Sequence, residues 1–308
     1  ARSPRSSGDE EGIAAIASPH APMHLILLSA ICSVLVSVLL KLAPRHRLDV
    51  AQMVTWNYLA AAVLSALVLQ PSLDSLRTPH APWPALLALS VVLPSLFLVL
   101  GASVRSAGIV RTDVAQRLSL LLSLLAAFTL LGERVDGQRL AGLALGLVAV
   151  AGIVVRPEPQ LGTRGGWGLL LTVWAGFALV DVLLKRIALS GTPSLASLQV
   201  AFALAFVLML GWQGWRHARG ATRLDARNLG AGLLLGLLNF GNIVFYVKAH
   251  QALADHPSVV FAAMNIGVVV LGTLVGVLAF GEKTGRWNRL GIALALVAIV
   301  LIATAPRA

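Results

Sequence analysis

Asp113 and Arg117 stand four residues apart at the start of a long apolar stretch. On a helix that spacing puts them on one face. Such a face could offer Arg117 to a substrate carboxylate or phosphate, or could neutralise itself near a membrane surface. Asp181 and Lys185 repeat the spacing. Asp181 is the expected proton-coupling group, although Lys185 beside it favours the ionised form. Asn239, Asn242, Tyr246 and His250 share another helix face, whose amides and phenol suit amino, carbonyl or hydroxyl groups. Asn265 and Gln116 occupy matching places in two related stretches. The candidate substrate-binding set is Asp113, Gln116, Arg117, Trp174, Asp181, Asn242, Tyr246 and Asn265. Gln52, Trp56 and Asn57 form a weaker set.

Two stripes frame these residues. Ser29, Ser33, Ser37 and Lys41 fall at spacing four, and Trp174, Phe177, Asp181 and Lys185 fall on a matching stripe. A water-filled cavity would require such faces. The bland alternative is that the serines bond to their own helix carbonyls and the lysines snorkel. For the asparagines it is ordinary helix-to-helix hydrogen bonding. Arg105 and Arg111 read as interfacial. Trp83, Trp212, Trp215 and Trp287 read as anchors at the membrane surface.

Several chemistries are unsupported. The seven histidines show no metal-ligand spacing, and no Gly-rich phosphate loop precedes Lys-Ser or Lys-Thr. No acyl-transfer or metalloprotease signature appears, so no enzyme activity and no cofactor are expected. Cys32 is the single cysteine, which excludes a disulfide within the chain and paired-cysteine metal sites.

The elements that must hold these residues are membrane spans. The chain is 57% hydrophobic and 12% charged, with a mean hydropathy of +0.84. A soluble domain is about 25% charged. The net charge of +11 comes from basic residues set in the short gaps between apolar runs, so nucleic acid is not an expected partner. A span needs about 20 apolar residues to cross about 30 Å of hydrocarbon. Ten can be placed, near 24–41, 50–69, 84–104, 109–131, 138–155, 167–187, 194–215, 229–251, 257–280 and 287–304. Spans five and ten are almost wholly Ala, Val, Leu, Ile and Gly and should face lipid or each other. An ionisable group inside a span costs about 2.5–3.5 kcal/mol, so each one calls for a reason.

The chain repeats itself. Gly132-Glu133 recurs as Gly281-Glu282, and the Arg139-Leu140 that follows recurs as Arg289-Leu290. Ser37-Val-Leu-Leu-Lys41 recurs as Asp181-Val-Leu-Leu-Lys185. Five spans per half is an odd number, so the second half must be inverted in the membrane. Inverted halves are the sequence mark of a secondary transporter. The matched Glu133 and Glu282 are expected to cap the next helix or to pair with Arg139 and Arg289.

Five-span repeats with a Gly-Glu turn between the fourth and fifth helices resemble the drug/metabolite transporter superfamily, EamA-domain type. Ala115-Gln116-Arg117-Leu118-Ser119 leading to Gly132-Glu133 looks like the first EamA repeat. Phe245-Tyr246-Val247-Lys248-Ala249 leading to Gly281-Glu282 looks like the second. The family often has a Pro early in helices four and nine. Here Ser119-Leu120 and Gly267-Val268 stand there, which leaves backbone flexibility without its usual source.

The expected fold is an all-α membrane protein of ten transmembrane helices, arranged as two inverted-topology five-helix repeats. The expected division is a disordered tail over 1–22, a first repeat over 23–155, a loop over 156–166 and a second repeat over 167–305. The resemblance implies a secondary active transporter working by alternating access from a central cavity. The mixed charges suit a small polar metabolite such as an amino acid or related organic anion, moved by an exporter or a proton-coupled carrier or exchanger. The other class is a lipid-handling or structural membrane protein. Expected partners are a small-molecule substrate and the lipid bilayer, with a homodimer left open, in a bacterial inner membrane. Orientation is contested. The resemblance implies cytoplasmic termini, whereas the excess of Lys and Arg in loops after odd-numbered spans favours termini outside.

Overall fold

The computed structural model describes residues 21–77, 81–122, 125, 137–154, 166–253 and 257–304. Among them every regular element is helical. In chain order the long or site-forming helices are α1 (Ala21–Leu42), α2 (Val50–Leu64), α3 (Trp83–Ala107), α4 (Ile109–Arg117) and α5 (Gly137–Val154). They continue as α6 (Gly166–Leu189), α7 (Ser194–Ala218), α8 (Ala226–Ala252), α9 (Pro257–Phe280) and α10 (Arg286–Thr304). Eight of them are long and apolar enough to cross a membrane, namely all but α4 and α5; α5 carries a shorter apolar stretch, Leu140–Ala149. Asp49 and Asp225 cap α2 and α8 by accepting from the N–H groups of Ala51 (2.9 Å) and Arg227 (3.1 Å).

Large apolar side chains point outward all round the bundle, and Leu278 is 79% exposed. Water would not tolerate that surface, but lipid tails do. With lipid outside, burial supplies little force between helices, and close packing of small residues must do more. Gly232 and Gly236 on α8 lie directly against α2. A Cβ on Gly232 would stand 2.7 Å from the Met53 carbonyl oxygen, and one on Gly236 2.7 Å from that of Asn57. Tyr58 of α2 fills the space toward α3 and α7 against Phe97 and Phe202, with ring centroids 6.0 and 6.1 Å away.

The main contacts run α5 to α10, α8 to α1 and α2, α3 to α6 and α7, α2 to α7, α9 to α1 and α4, and α4 to α6. Spans five and ten therefore pack on each other. A Cβ on Gly142 of α5 would meet Ile302 at 2.7 Å, and Gln138 Nε2 donates to the Leu301 carbonyl at 3.1 Å.

Span four departs from the expected continuous helix. α4 ends at Arg117, Leu118 makes a turn (φ −76°, ψ −3°), and helix resumes at Ser119. The Leu121 N–H reaches back only three residues, to the Leu118 carbonyl (3.0 Å), which tightens the backbone there. The break forms without a proline. Residues 126–131 of that span, and the Gly132-Glu133 turn, lie outside the described residues.

Candidate functional site

The serine stripe of α1 organises the site. Its members do not bond back to their own helix but reach three other elements. Ser29 Oγ donates to Asn242 of α8, with the backbone oxygen and Oδ1 both at 2.9 Å. Arg117 Nη2 donates to Ser33 Oγ at 2.7 Å. Ser37 Oγ donates to Asp113 Oδ1 at 2.8 Å, and Lys41 Nζ pairs with Glu282 Oε1. One helix face thus binds α4, α8 and the end of α9.

Asp113 and Arg117 share a face of α4 as the spacing predicts, yet each hydrogen-bonds to a serine of α1 instead of to the other. Asp113 is 3% exposed, and its Oδ2 has no hydrogen-bond partner. That oxygen lies so close to Gly272 of α9 that a Cβ there would overlap it. Arg117 is half-buried, and its Nε also has no partner. The Arg117 charge interacts with Asp113, with Tyr246 of α8 and with Asp181 of α6. Four of the eight candidates therefore form one electrostatic group drawn from three helices.

Trp174 has a structural connection to that group. Its indole N–H donates to the Leu118 carbonyl at 2.8 Å, at the break that follows Arg117. Arg117 sits in the last turn of α4, where the helix dipole favours a cation. Gln116 is half-buried on the same short helix.

The remaining candidates are placed less centrally. Asn242 offers its oxygen to Ser29. Asn265 is 7% exposed and turns its Nδ2 back onto its own helix, to the Phe261 carbonyl at 2.8 Å. His250 stacks edge-on against Tyr246, with centroids 4.4 Å apart. In the weaker set, Asn57 is fully buried and accepts from Asn239 Nδ2 at 3.3 Å. Gln52 joins a structural clamp instead. It donates to Thr222 Oγ1 (2.6 Å) and the Arg223 carbonyl (2.9 Å), beside the Arg216–Asp49 ion pair at 3.0 Å. Arg111 is half-buried. With the Asn288 amide oxygen turned toward it, Arg111 donates through Nε (3.1 Å) and Nη2 (2.9 Å).

Glu282 is the residue whose role the sequence misplaced. It was expected to serve the helix that follows it or Arg289. Instead Oε1 accepts from the Ile109 N–H (2.7 Å) and Oε2 from the Val110 N–H (3.1 Å), so it caps α4. Arg289 Nε donates to the Thr284 carbonyl at 3.1 Å. The Gly-Glu pair has a local cause. Gly281 ends α9 at φ +62°, its N–H donating to the Val277 carbonyl at 3.1 Å. The Glu282 N–H then returns to the Gly276 carbonyl at 2.9 Å, and the side chain reaches α4. The one signal for this in the sequence is Gly108, whose φ of +92° and lack of a Cβ leave room for that carboxylate.

Among the described residues no group of three His, Cys, Asp or Glu side chains could hold a metal ion. The site offers charge, hydrogen bonds and a broken helix. That equipment can bind and release a polar solute within a membrane.

Residues 21–155 match the EamA-like transporter family. Over 90% of its length the chain is 37% identical to an uncharacterized protein of Haemophilus influenzae, covering 96% of that protein. Over 34% of its length it is 39% identical to a UPF0060 membrane protein of Mycolicibacterium gilvum, covering 93% of that protein. A solved crystal structure of 16% sequence identity shares the fold at a TM-score of 0.56, over 92% of this chain and 96% of the other. On the family match and the near full-length relative, the chain belongs to the EamA-like transporter family, whose members are membrane transporters of the drug/metabolite kind.

Proposed function

We propose that this protein is a secondary active transporter of the bacterial inner membrane that carries an amino acid or related organic anion by alternating access. The observation that carries this reading is the Asp113, Arg117, Tyr246 and Asp181 group, set at the helix break after Arg117. Arg117 keeps one buried N–H donor unspent, which suits a carboxylate. Asp181 supplies the opposite charge across the cavity for an ammonium group. Broken helices at a site between repeats are how such carriers present charge at membrane depth.

The helix pairing supports two inverted five-helix halves. Exchanging α1 with α6, α3 with α8 and α4 with α9 turns the α1–α8 contact into α6–α3, and the α1–α9 contact into α6–α4. Burial supports one of the two states. Ser37 is 2% exposed and Lys41 is held by Glu282, whereas their repeat partners Asp181 and Lys185 are exposed and half-buried. The Lys41–Glu282 pair closes its own end of the bundle, which suits a carrier with that end shut.

A thermal-shift screen of the purified protein with amino acids, organic acids, sugars, nucleosides and polyamines tests the reading. A ligand that binds the folded state raises the melting temperature with ln(1 + [L]/Kd). Carboxylate-bearing amino acids should stabilise the wild type and fail to stabilise Arg117→Gln. Stabilisation by amino acids that survives in Arg117→Gln would remove Arg117 from the site, and stabilisation by sugars or polyamines alone would overturn the substrate class.

A further inference from the structure

We infer that Asp113, rather than Asp181, carries a coupled proton, and that proton and anionic substrate bind this carrier together. The inference rests on the transporter reading above. Its physical basis is the isolation of Asp113 Oδ2. The oxygen is buried and receives no hydrogen bond, while Oδ1 receives only that of Ser37. A buried carboxylate oxygen without a donor is costly, and a proton on it removes the charge. The Gly272 backbone closes in on Oδ2 from the α9 side, and a proton is the smallest ligand that so walled an oxygen can take.

The surrounding groups give the proton a consequence. From α4 itself Arg117 faces Asp113; from α1 come Ser37 and, beyond it, Lys41; from the end of α9 comes the Glu282 carboxylate. Toward α3 the contact is neutral, Ser103 to Thr112 at 2.9 Å. Asp181 of α6 and Tyr246 of α8 reach Asp113 only through Arg117. When Asp113 is neutral, Arg117 keeps its charge for a substrate carboxylate. When Asp113 is ionised, it competes for Arg117 and weakens the substrate. Oδ2 is walled by α9, on the side of the bundle sealed by Lys41 and Glu282. Opening that end exposes Oδ2 to water and releases proton and substrate to the same compartment.

Infrared difference spectroscopy between acid and alkaline buffer tests the proton site without any substrate. Wild-type protein in lipid should show a protonated-carboxyl component that is absent from Asp113→Asn. In Ser37→Ala the component should shift in frequency, because Ser37 bonds that carboxyl. A component unchanged in both variants would overturn the inference, and if Asp113→Asn does not fold, the Ser37→Ala shift decides alone. In proteoliposomes a radiolabelled mixture of the common amino acids then serves as probe. An imposed proton gradient should stimulate wild-type uptake, and in Asp113→Asn uptake with and without the gradient should become equal. Gradient stimulation that persists in Asp113→Asn would overturn it as well. Absence of wild-type uptake would count against the proposed substrate class, while the infrared result would still decide for or against Asp113.

Discussion

Glu282 follows the last turn of α9, yet its carboxylate caps Ile109 at the start of α4, 173 residues earlier in the chain. The same carboxylate holds Lys41 of α1. Three helices are therefore pinned by one side chain at the sealed end of the bundle. A lost N-cap costs about 1 kcal/mol, and stripping one partner from a buried pair costs up to about 3–5 kcal/mol. Glu282 and Lys41 keep 10% and 16% of their side chains exposed, so the pair is nearly but not wholly dry. Glu282→Ala should therefore lose about 2–3 kcal/mol, and Glu282→Gln, which keeps an acceptor, should lose less. Thermal unfolding in detergent should rank the wild type above Glu282→Gln and Glu282→Gln above Glu282→Ala. Equal melting temperatures for all three would reject the clasp.

Gly108 offers a second route to the same contact. Its backbone sits at φ +92°, and a Cβ there would stand 2.6 Å from Glu282 Oε2. Gly108→Ala should thus strain the backbone and push the cap away, costing about 1–3 kcal/mol. The two changes share the cap but not the backbone strain, so their losses should add only in part. The double variant Gly108→Ala with Glu282→Ala should melt below either single variant but lose less than the sum of the two. Full additivity would show that Gly108 acts on something other than the Glu282 cap.

Much of this arrangement was legible in the sequence, for physical reasons that also mark where legibility stopped. Apolar runs of bilayer length identify spans because lipid rewards them wherever they lie in the bundle. The spacing-four stripe from Ser29 to Lys41 identifies one helix face because helix periodicity is local. The partners of that face are not local. Nothing near Ser33 or Ser37 names Arg117 or Asp113, and nothing near Glu282 names Ile109. The Gly-Glu repeat was visible, but a capping rule written for neighbouring residues sent the carboxylate to the wrong helix. The break at Leu118 was hidden for a related reason. Prolines signal broken helices, whereas here the freed carbonyl is met by the indole of Trp174, 56 residues away.

That indole gives the third prediction. Trp174→Phe keeps the ring's bulk and removes the donor to the Leu118 carbonyl. The carbonyl still accepts from the Leu121 N–H at 3.0 Å, so the loss should be about 1 kcal/mol, a single hydrogen bond. The effect on ligand binding should exceed the effect on stability, because the break orients Arg117. Amino-acid stabilisation in the thermal-shift assay should fall while the unliganded melting temperature moves only slightly. A variant with lower melting temperature and undiminished ligand stabilisation would make Trp174 a packing residue alone.

The close glycines separate two kinds of helix contact. A Cβ on Gly236 would meet the Asn57 carbonyl oxygen at 2.7 Å, and backbone in the middle of α2 has nowhere to go. A Cβ on Gly142 would meet Ile302 Cγ1 at the same 2.7 Å, but that is the side chain of a residue near the end of α10. Equal distances therefore imply unequal penalties. Gly236→Ala must push α8 off α2, whereas Gly142→Ala needs a rotamer change costing about 0.5–1.5 kcal/mol. Gly236→Ala should reduce the yield of monodisperse protein and its melting temperature well beyond Gly142→Ala. Shortening Ile302 to Ala should restore most of what Gly142→Ala loses, and no side-chain truncation on α2 should rescue Gly236→Ala to the same extent. Melting curves of the four variants, with Ala60→Gly as the α2 truncation, measure this directly. A rescue of Gly236→Ala by Ala60→Gly would place the conflict in the Ala60 side chain and remove the backbone argument.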